Sequence, residues 1–287
     1  MSNTATVLAF DFGASSGRAI RAVYDGQNLT YEEIHRFENI PIEKDGHLCW
    51  DVETLLKEIH TAIQKAGTFD SLGFDTWGVD FGLLDTDGHL LANPVHYRDA
   101  RTNGKPEQAA ARMPAEELYA HTGNQIMVIN TLFQLLALRE QDPELLQKAA
   151  QILFMPDLFA ALLGAEPVCE RSITSTSQML DPRTGQWSRE VLAAYGLPES
   201  CFAPIVASGT VTGTLANGAK IIAVAGHDTQ CASAAMPCAE EDAEHTAFLS
   251  CGTWSLLGME LDAPILTADS CQSGLSNELG ANGKINY

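Results

Sequence analysis

Apolar residues in this chain recur with two periods, and the alternation between them predicts an α/β protein. Val7 to Asp11 is a short apolar run that turns at Gly13 to Gly17 into a second run, Ala19 to Tyr24. Asp25-Gly26 is a hairpin signal, so a three-stranded meander through Leu29 to Phe37 is expected. The period then changes. From Asp51 to Ala66, Val52, Leu55, Leu56, Ile59 and Ile63 fall on one helical face, with Asp51 as cap and Gly67 as stop.

Ser71 to Trp77 and Val79 to Leu84 read as strands, with Asp87-Gly88 as a turn. Helical patterns follow over Pro114 to His121, Thr131 to Arg139, Pro143 to Ala150, Asp157 to Leu163 and Arg189 to Tyr195. Lys220 to Gly226 (KIIAVAG) has the length and β-branching of a buried strand, and the small residues Thr229 to Ala235 suit a closely packed helix. The acidic run at Glu240, Glu241, Asp242 and Glu244 reads as a solvated linker. No Lys or Arg occurs from Cys231 to Gly283, which supports a boundary near residue 240 and domains at 1–240 and 241–287. The last residues, Leu275 to Tyr287, carry no clear stop, and a truncated second domain is expected.

Composition narrows the class. The chain has 287 residues, 45% of them hydrophobic and 19% charged, which is enough for a sizeable core. A net charge of −20 argues against nucleic acid as a partner. No run approaches the ~18 apolar residues of a membrane span, and the polar start predicts no secretory signal, hence a cytoplasmic protein without a membrane partner. Seven cysteines occur without a C-x-x-C pair or a Cys/His cluster of zinc-ligand spacing, as in a reduced protein of mostly inert thiols.

Four segments carry candidate chemistry. Asp11 leads into Gly13 to Arg18, which is not a Walker A loop but a strand delivering a carboxylate to a Gly/Ser turn. Such a turn can face phosphate oxygens with backbone N–H groups while the acid holds Mg²⁺; a plain β-hairpin is the alternative. Phe248 to Leu261 (FLSCGTWSLLGMEL) is a second hairpin of the same kind. Gly226-His227-Asp228 closes a buried strand, where Asp228 can accept a proton or cap the next helix. In Gly73 to Asp85, Trp77 beside Gly78 can stack on a sugar, or Trp77 can sit in the core with Asp75 and Asp80 at the sheet rim. Tyr97 to Arg101 is weaker, since runs of mixed charge are usually surface ion pairs.

In this order, DFGASSGR (11–18), FDTWGVDFGLLD (74–85), YRDART (97–102), AGHDT (225–229) and SCGTWSLLG (250–258) resemble the FGGY carbohydrate kinases. The resemblance implies an actin-like, ribonuclease H-like ATPase fold of two α/β domains, with the first complete and the second only begun. It implies ATP with Mg²⁺ as cofactors and a small ketose, L-rhamnulose, as substrate; another FGGY ketose or polyol kinase and a noncatalytic sugar-binding fragment are the alternatives. Residue by residue, Ala14, Ser15, Ser16, Gly17, Arg18 and Thr253 would hold the nucleotide phosphates, and Asp11 the metal. Gly78, His227, Asp228 and Thr229 would contact the sugar, with Asp228 as proton acceptor. The family's longer second domain implies weak or no activity for this stretch alone and exposed apolar surface on the second hairpin. Oligomeric state stays open.

Overall fold

The computed structural model describes residues 4–239, 242, 245–252 and 255–287. Its centre is a six-stranded sheet. The elements that frame it are, in chain order, β1 (Ala5–Phe12), β2 (Ser16–Tyr24), β3 (Leu29–Glu38), helix α1 (Val52–Ala66), β4 (Ser71–Thr76), helices α2 (Ala115–Thr122) and α3 (Met155–Leu162), and strands β5 (Thr210–Thr214) and β6 (Lys220–Ala223). Helix α4 (Asp228–Ala234) follows, and then β7 (Ala247–Cys251), β8 (Ser255–Leu261), β9 (Glu278–Leu279) and β10 (Ile285–Asn286).

The sheet order is β5-β6-β4-β1-β2-β3. The meander β1-β2-β3 is antiparallel, and β4 and β6 run parallel to β1. Leu8, Phe10 and Phe12 are fully buried while Ala9 and Asp11 between them are not, the period-two signature of a strand with one core face. Phe12 stacks on Phe159 of α3 at 4.8 Å, and Phe10 on Phe74 of β4 at 4.9 Å. Helix α1 buries Val52, Leu55, Ile59 and Ala62, with the Asp51 side chain accepting from the Thr54 amide as the expected cap.

Two strand boundaries differ from the sequence pattern for a backbone reason. Val79 adopts φ 68°, a conformation β-branched residues rarely take, so the strand that was expected from Val79 begins at Phe81. Its N–H donates to Thr176 Oγ1 at 3.1 Å and its carbonyl accepts from Thr131 Oγ1 at 2.6 Å, and these bonds hold the strained turn. Likewise β6 ends at Ala223, and the chain continues extended so that Thr76 N–H donates to the Gly226 carbonyl at 2.9 Å.

The expected second hairpin forms as β7 and β8, which join β10 and β9 in a four-stranded sheet. Leu249 and Leu257 on it are 62% and 74% exposed, the apolar surface the sequence led us to expect. The residues after it return to the main body. Asn277 donates to the Gly123 carbonyl and to Tyr119 Oη beside α2, and Leu279 N–H donates to Ser175 Oγ.

Gly17 illustrates how tightly the first hairpin is seated. A Cβ there would lie 2.2 Å from the Phe37 ring, which is itself buried against Phe12. Gly17→Ala is therefore expected to destabilise the chain by about 1–3 kcal/mol through overpacking, read as a lowered urea midpoint. An unchanged midpoint would mean that Phe37 swings aside freely.

Candidate functional site

The parallel pairing of β1 with β4 sets Asp11 opposite Asp75 in register. The bridge between Thr76 and His227 brings the start of α4 to the same end of the sheet. Three carboxylates thus gather at the C-terminal ends of neighbouring parallel strands, the usual ligand position in open α/β sheets. Burial, then the negative charges of Asp11 and Asp228, push the Asp75 carboxyl well above the ordinary range. Arg18 answers part of that charge, donating to Asp11 Oδ2 from Nε at 2.8 Å and from Nη2 at 2.6 Å.

Asp228 opens α4, and its own oxygens divide the work. Oδ1 accepts from the Thr229 N–H at 2.6 Å and the Thr229 hydroxyl at 3.2 Å, with His227 Nε2 at 3.4 Å. Oδ2 has no donor among the described residues. The expected capping role falls instead on His227, the N-cap residue by position, with no side-chain cap bond.

His227 Nδ1 meets Glu278 Oε2 at 2.9 Å, and Gln230 Nε2 donates to that same oxygen at 2.8 Å. Burial alone would lower the imidazole pKa, but Glu278, Asp228 and Asp75 raise it to about 9. For Glu278, burial is outweighed by His227, whose charge and hydrogen bond hold the carboxyl below its usual value. Glu278 escaped sequence reasoning because it is a lone acid 51 residues from its partner.

This pair has a pH consequence. The folded imidazole titrates at about 9 against 6.5 for an ordinary histidine, so its stabilisation is complete below pH 6.5 and is lost as pH rises through about 9. The ceiling is about 3 kcal/mol at 1.36 kcal/mol per unit. Urea midpoints of the wild type are expected to fall between pH 6 and 9.5 by more than those of Glu278→Gln. Parallel declines would contradict the pairing.

The Gly13 to Arg18 turn is organised by Gly13 N–H donating to the Ser16 carbonyl at 2.9 Å and by Asn39, whose Nδ2 donates to the Gly13 carbonyl at 2.9 Å. The amides of Ala14 and Ser15 find no acceptor among the described residues. They are the two N–H groups of the turn available to an anion, and Ser16 and Gly17 already belong to β2. The Asp11 carboxylate at the head of this turn and the two amides are of the chemistry that suits Mg²⁺ with a phosphate chain, while among the described residues the one acidic cluster with its ligand atoms within 4.8 Å of one another is Asp85, Asp87 and His89. Thr253, expected on the second hairpin, lies outside the described residues.

The third segment decides between its two readings and corrects part of one. Trp77 is 6% exposed and sits 4.0 Å from Trp50 between ring centroids, so it belongs to the core and is not a free face for a sugar. Nor is Asp80 at the sheet rim. It is fully buried, and its Oδ2 accepts from Trp50 Nε1 at 2.7 Å, Trp77 Nε1 at 3.0 Å and the Tyr97 amide at 3.1 Å. Gln134 Nε2 donates to Oδ1 at 2.8 Å. Burial raises the Asp80 carboxyl to about 6 against the pull of those donors. Gly78 lies against Thr176, whose side chain would be 3.2 Å from an added Cβ. Of the YRDART segment, Asp99 accepts from the Leu48 and Arg101 amides, so the run supports the neighbouring turn from within.

A mixed sheet with carboxylates and an amide-lined hairpin at the ends of its parallel strands has the architecture of the actin-like, ribonuclease H-like ATPases. Comparison with known proteins narrows this: the chain belongs to the FGGY family of carbohydrate kinases, whose N-terminal domain model matches residues 6–234. It is 41% identical over 291 residues to the rhamnulokinase of Bacteroides thetaiotaomicron, covering 97% of this chain and 59% of that protein. Among solved structures, the xylulose kinase from Lactobacillus acidophilus superposes with a TM-score of 0.80 at 17% identity, over 98% of this chain and 58% of the other. Plasmodium falciparum glycerol kinase with ADP gives 0.75 at 17% identity, over 98% and 60%. The chain thus spans about three fifths of the length of these relatives. No helix among the described residues is long and apolar enough to cross a membrane.

Proposed function

We propose that the protein transfers the γ-phosphate of ATP to the terminal hydroxyl of a ketose, L-rhamnulose, yielding L-rhamnulose 1-phosphate and ADP. The observation that carries this reading is the meeting of Asp11, Asp75 and the His227-Asp228 pair at one end of the sheet, beside the hairpin that presents the Ala14 and Ser15 amides. Asp228 takes the proton of the attacking hydroxyl on Oδ2 while Thr229 and His227 steady Oδ1. The imidazolium of His227 offers its charge to a sugar hydroxyl at the same place. Ala14 to Arg18, with Thr253, hold the phosphates. Mg²⁺ held by Asp11, with Asp75 alongside, would neutralise charge on the phosphate chain.

Support for the ketose comes from the rhamnulokinase relative; the xylulose and glycerol kinases share the fold. We assign residues 1–240 to the first domain and 241–287 to the start of the second. Because this stretch spans 59% of that relative, we expect it to turn over slowly alone and to gain activity when joined to the remaining second-domain length. A panel of L-rhamnulose, D-xylulose, gluconate and glycerol on the joined protein tests the substrate. Preference for any sugar but L-rhamnulose would replace it with another FGGY kinase activity. Sugar binding without nucleotide binding would favour a noncatalytic module.

A further inference from the structure

One buried acid outside the carboxylate cluster is wired to it through the backbone. Glu170 is 1% exposed. Its Oε2 accepts from the Ser172 N–H at 2.8 Å, the Ser172 hydroxyl at 2.5 Å and the Ile173 N–H at 3.2 Å. These bonds are those of a cap on the one-turn helix Arg171–Thr174. A cap, however, needs nothing further, and Glu170 reaches beyond it. The same Oε2 accepts the Gly226 N–H at 3.0 Å, 56 residues along the chain, and Oε1 accepts the Ser208 hydroxyl at 2.5 Å. The Ser172 oxygen, oriented by its bond to Glu170, in turn accepts the His227 N–H at 3.4 Å.

Both amides ahead of Asp228 are therefore drawn to one carboxylate, Gly226 directly and His227 through Ser172. On the other side the Gly226 carbonyl accepts from Thr76 of β4. The glycine is also required sterically, since a Cβ would lie 2.9 Å from Pro156 Cγ and 3.1 Å from Ile173 Cγ2. The peptide before the proton acceptor is thus fixed at its N–H, its carbonyl and its α-carbon. Behind Glu170, its own N–H donates to Asp157 Oδ2 at 3.1 Å. Burial and the neighbouring Glu170 push the Asp157 carboxyl well above the ordinary range.

We propose that Glu170 is the positioning residue of the catalytic loop, setting the place of His227 and Asp228 by gathering the Gly226 and His227 backbone amides through Oε2 and Ser172. This rests on the functional reading above. A displacement of about 1 Å at a reacting group can cost ~10²-fold in rate, and a buried carboxylate accepting several N–H bonds is a stiff anchor. The hairpin Gly13 to Arg18 has no bond to Glu170, so nucleotide affinity is outside its reach.

The test uses Glu170→Ala, Glu170→Gln and Ser172→Ala in the joined protein, with kinetics for both substrates. Glu170→Ala is expected to lower kcat by ~10²-fold and raise the KM for sugar, with the KM for ATP within twofold. Glu170→Gln is expected to recover most of the loss, because its amide oxygen can replace Oε2 and its NH₂ can donate to Ser208. Ser172→Ala, a milder lesion if Glu170→Ala fails to fold, is expected to raise the KM for sugar several-fold. Loss of thermal stability with unchanged kcat in the folded fraction, or wild-type kinetics in Ser172→Ala, would overturn the proposal. A separate arm needs no turnover. Hydrogen exchange on the 287-residue chain is expected to show the Gly226 and His227 amides at least ~10-fold less protected in the Glu170 and Ser172 alanine variants, with β1 unchanged. Absence of sugar-dependent turnover in the unsubstituted protein would refute the functional reading alone. Unchanged protection of those amides would refute the Glu170 proposal alone.

Discussion

Asp228→Asn is expected to reduce sugar-dependent turnover in the joined protein by ~10²–10⁴-fold, the worth of general-base assistance, while leaving the KM for ATP and the unfolding temperature nearly unchanged. The structure makes this substitution informative. Oδ1 already serves Thr229 and His227, and an Asn oxygen can keep those bonds, so the turn into α4 has little reason to move. Oδ2 alone is without a donor among the described residues, and the amide nitrogen that replaces it cannot take a proton. A kcat defect without a structural defect is the signature of a base. A defect confined to the KM for sugar would instead make Asp228 a binding residue and leave the attacking hydroxyl without an acceptor here.

The second large effect is on folding. Asp80→Ala is expected to destabilise the chain by several kcal/mol, on the order of 1–3 kcal/mol for each buried donor left without an acceptor. Four donors depend on that carboxylate: the indole N–H groups of Trp50 and Trp77, the Tyr97 amide and Gln134 Nε2. Asp80→Asn separates geometry from charge. Its oxygen can keep the three bonds at Oδ2, and only the Gln134 contact is lost, so it is expected to cost about 1 kcal/mol. The titration sign supports the mildness. With the Asp80 carboxyl raised to about 6 by burial, the charge is a net cost at neutral pH, and Asn removes it. Urea melts of both variants at pH 7.5 measure the difference. Equal losses in Ala and Asn would show that charge holds the cluster, contrary to the four hydrogen bonds.

Helices and strands with clean periods were legible from the residues. The 51–66 helix was expected with its Asp51 cap and Gly67 stop, and Arg189–Tyr195 matches residue for residue. Asp11 and Asp228 were visible because each is an acid at the end of an apolar run. Their neighbour Asp75 was noticed only as an interruption. Its meaning depends on the parallel pairing of two strands 64 residues apart, which no local pattern encodes. Trp77 was ambiguous because an indole beside a glycine fits a sugar wall or a core equally well. Asp80 decides between them by taking the Trp77 N–H inward. Glu170 and Glu278 were silent for another reason: each acts on a residue about fifty positions away through backbone or imidazole N–H groups, and neither stands in a motif.

The same distances explain how the fold makes the site. β1 and β4 bring the acids together, the 170–173 turn fixes the Gly226 peptide, and the segment after β8 supplies Glu278 to His227. A residue beyond the part that matches the N-terminal-domain family model thus raises the pKa of the His227 imidazole.

The most direct measurement is ADP release from Mg-ATP by the joined protein, with and without L-rhamnulose, for the wild type and Asp228→Asn. The account predicts turnover that requires the sugar and collapses in the variant. ATP hydrolysis that ignores the sugar, or turnover that survives loss of the Asp228 carboxylate, would contradict it.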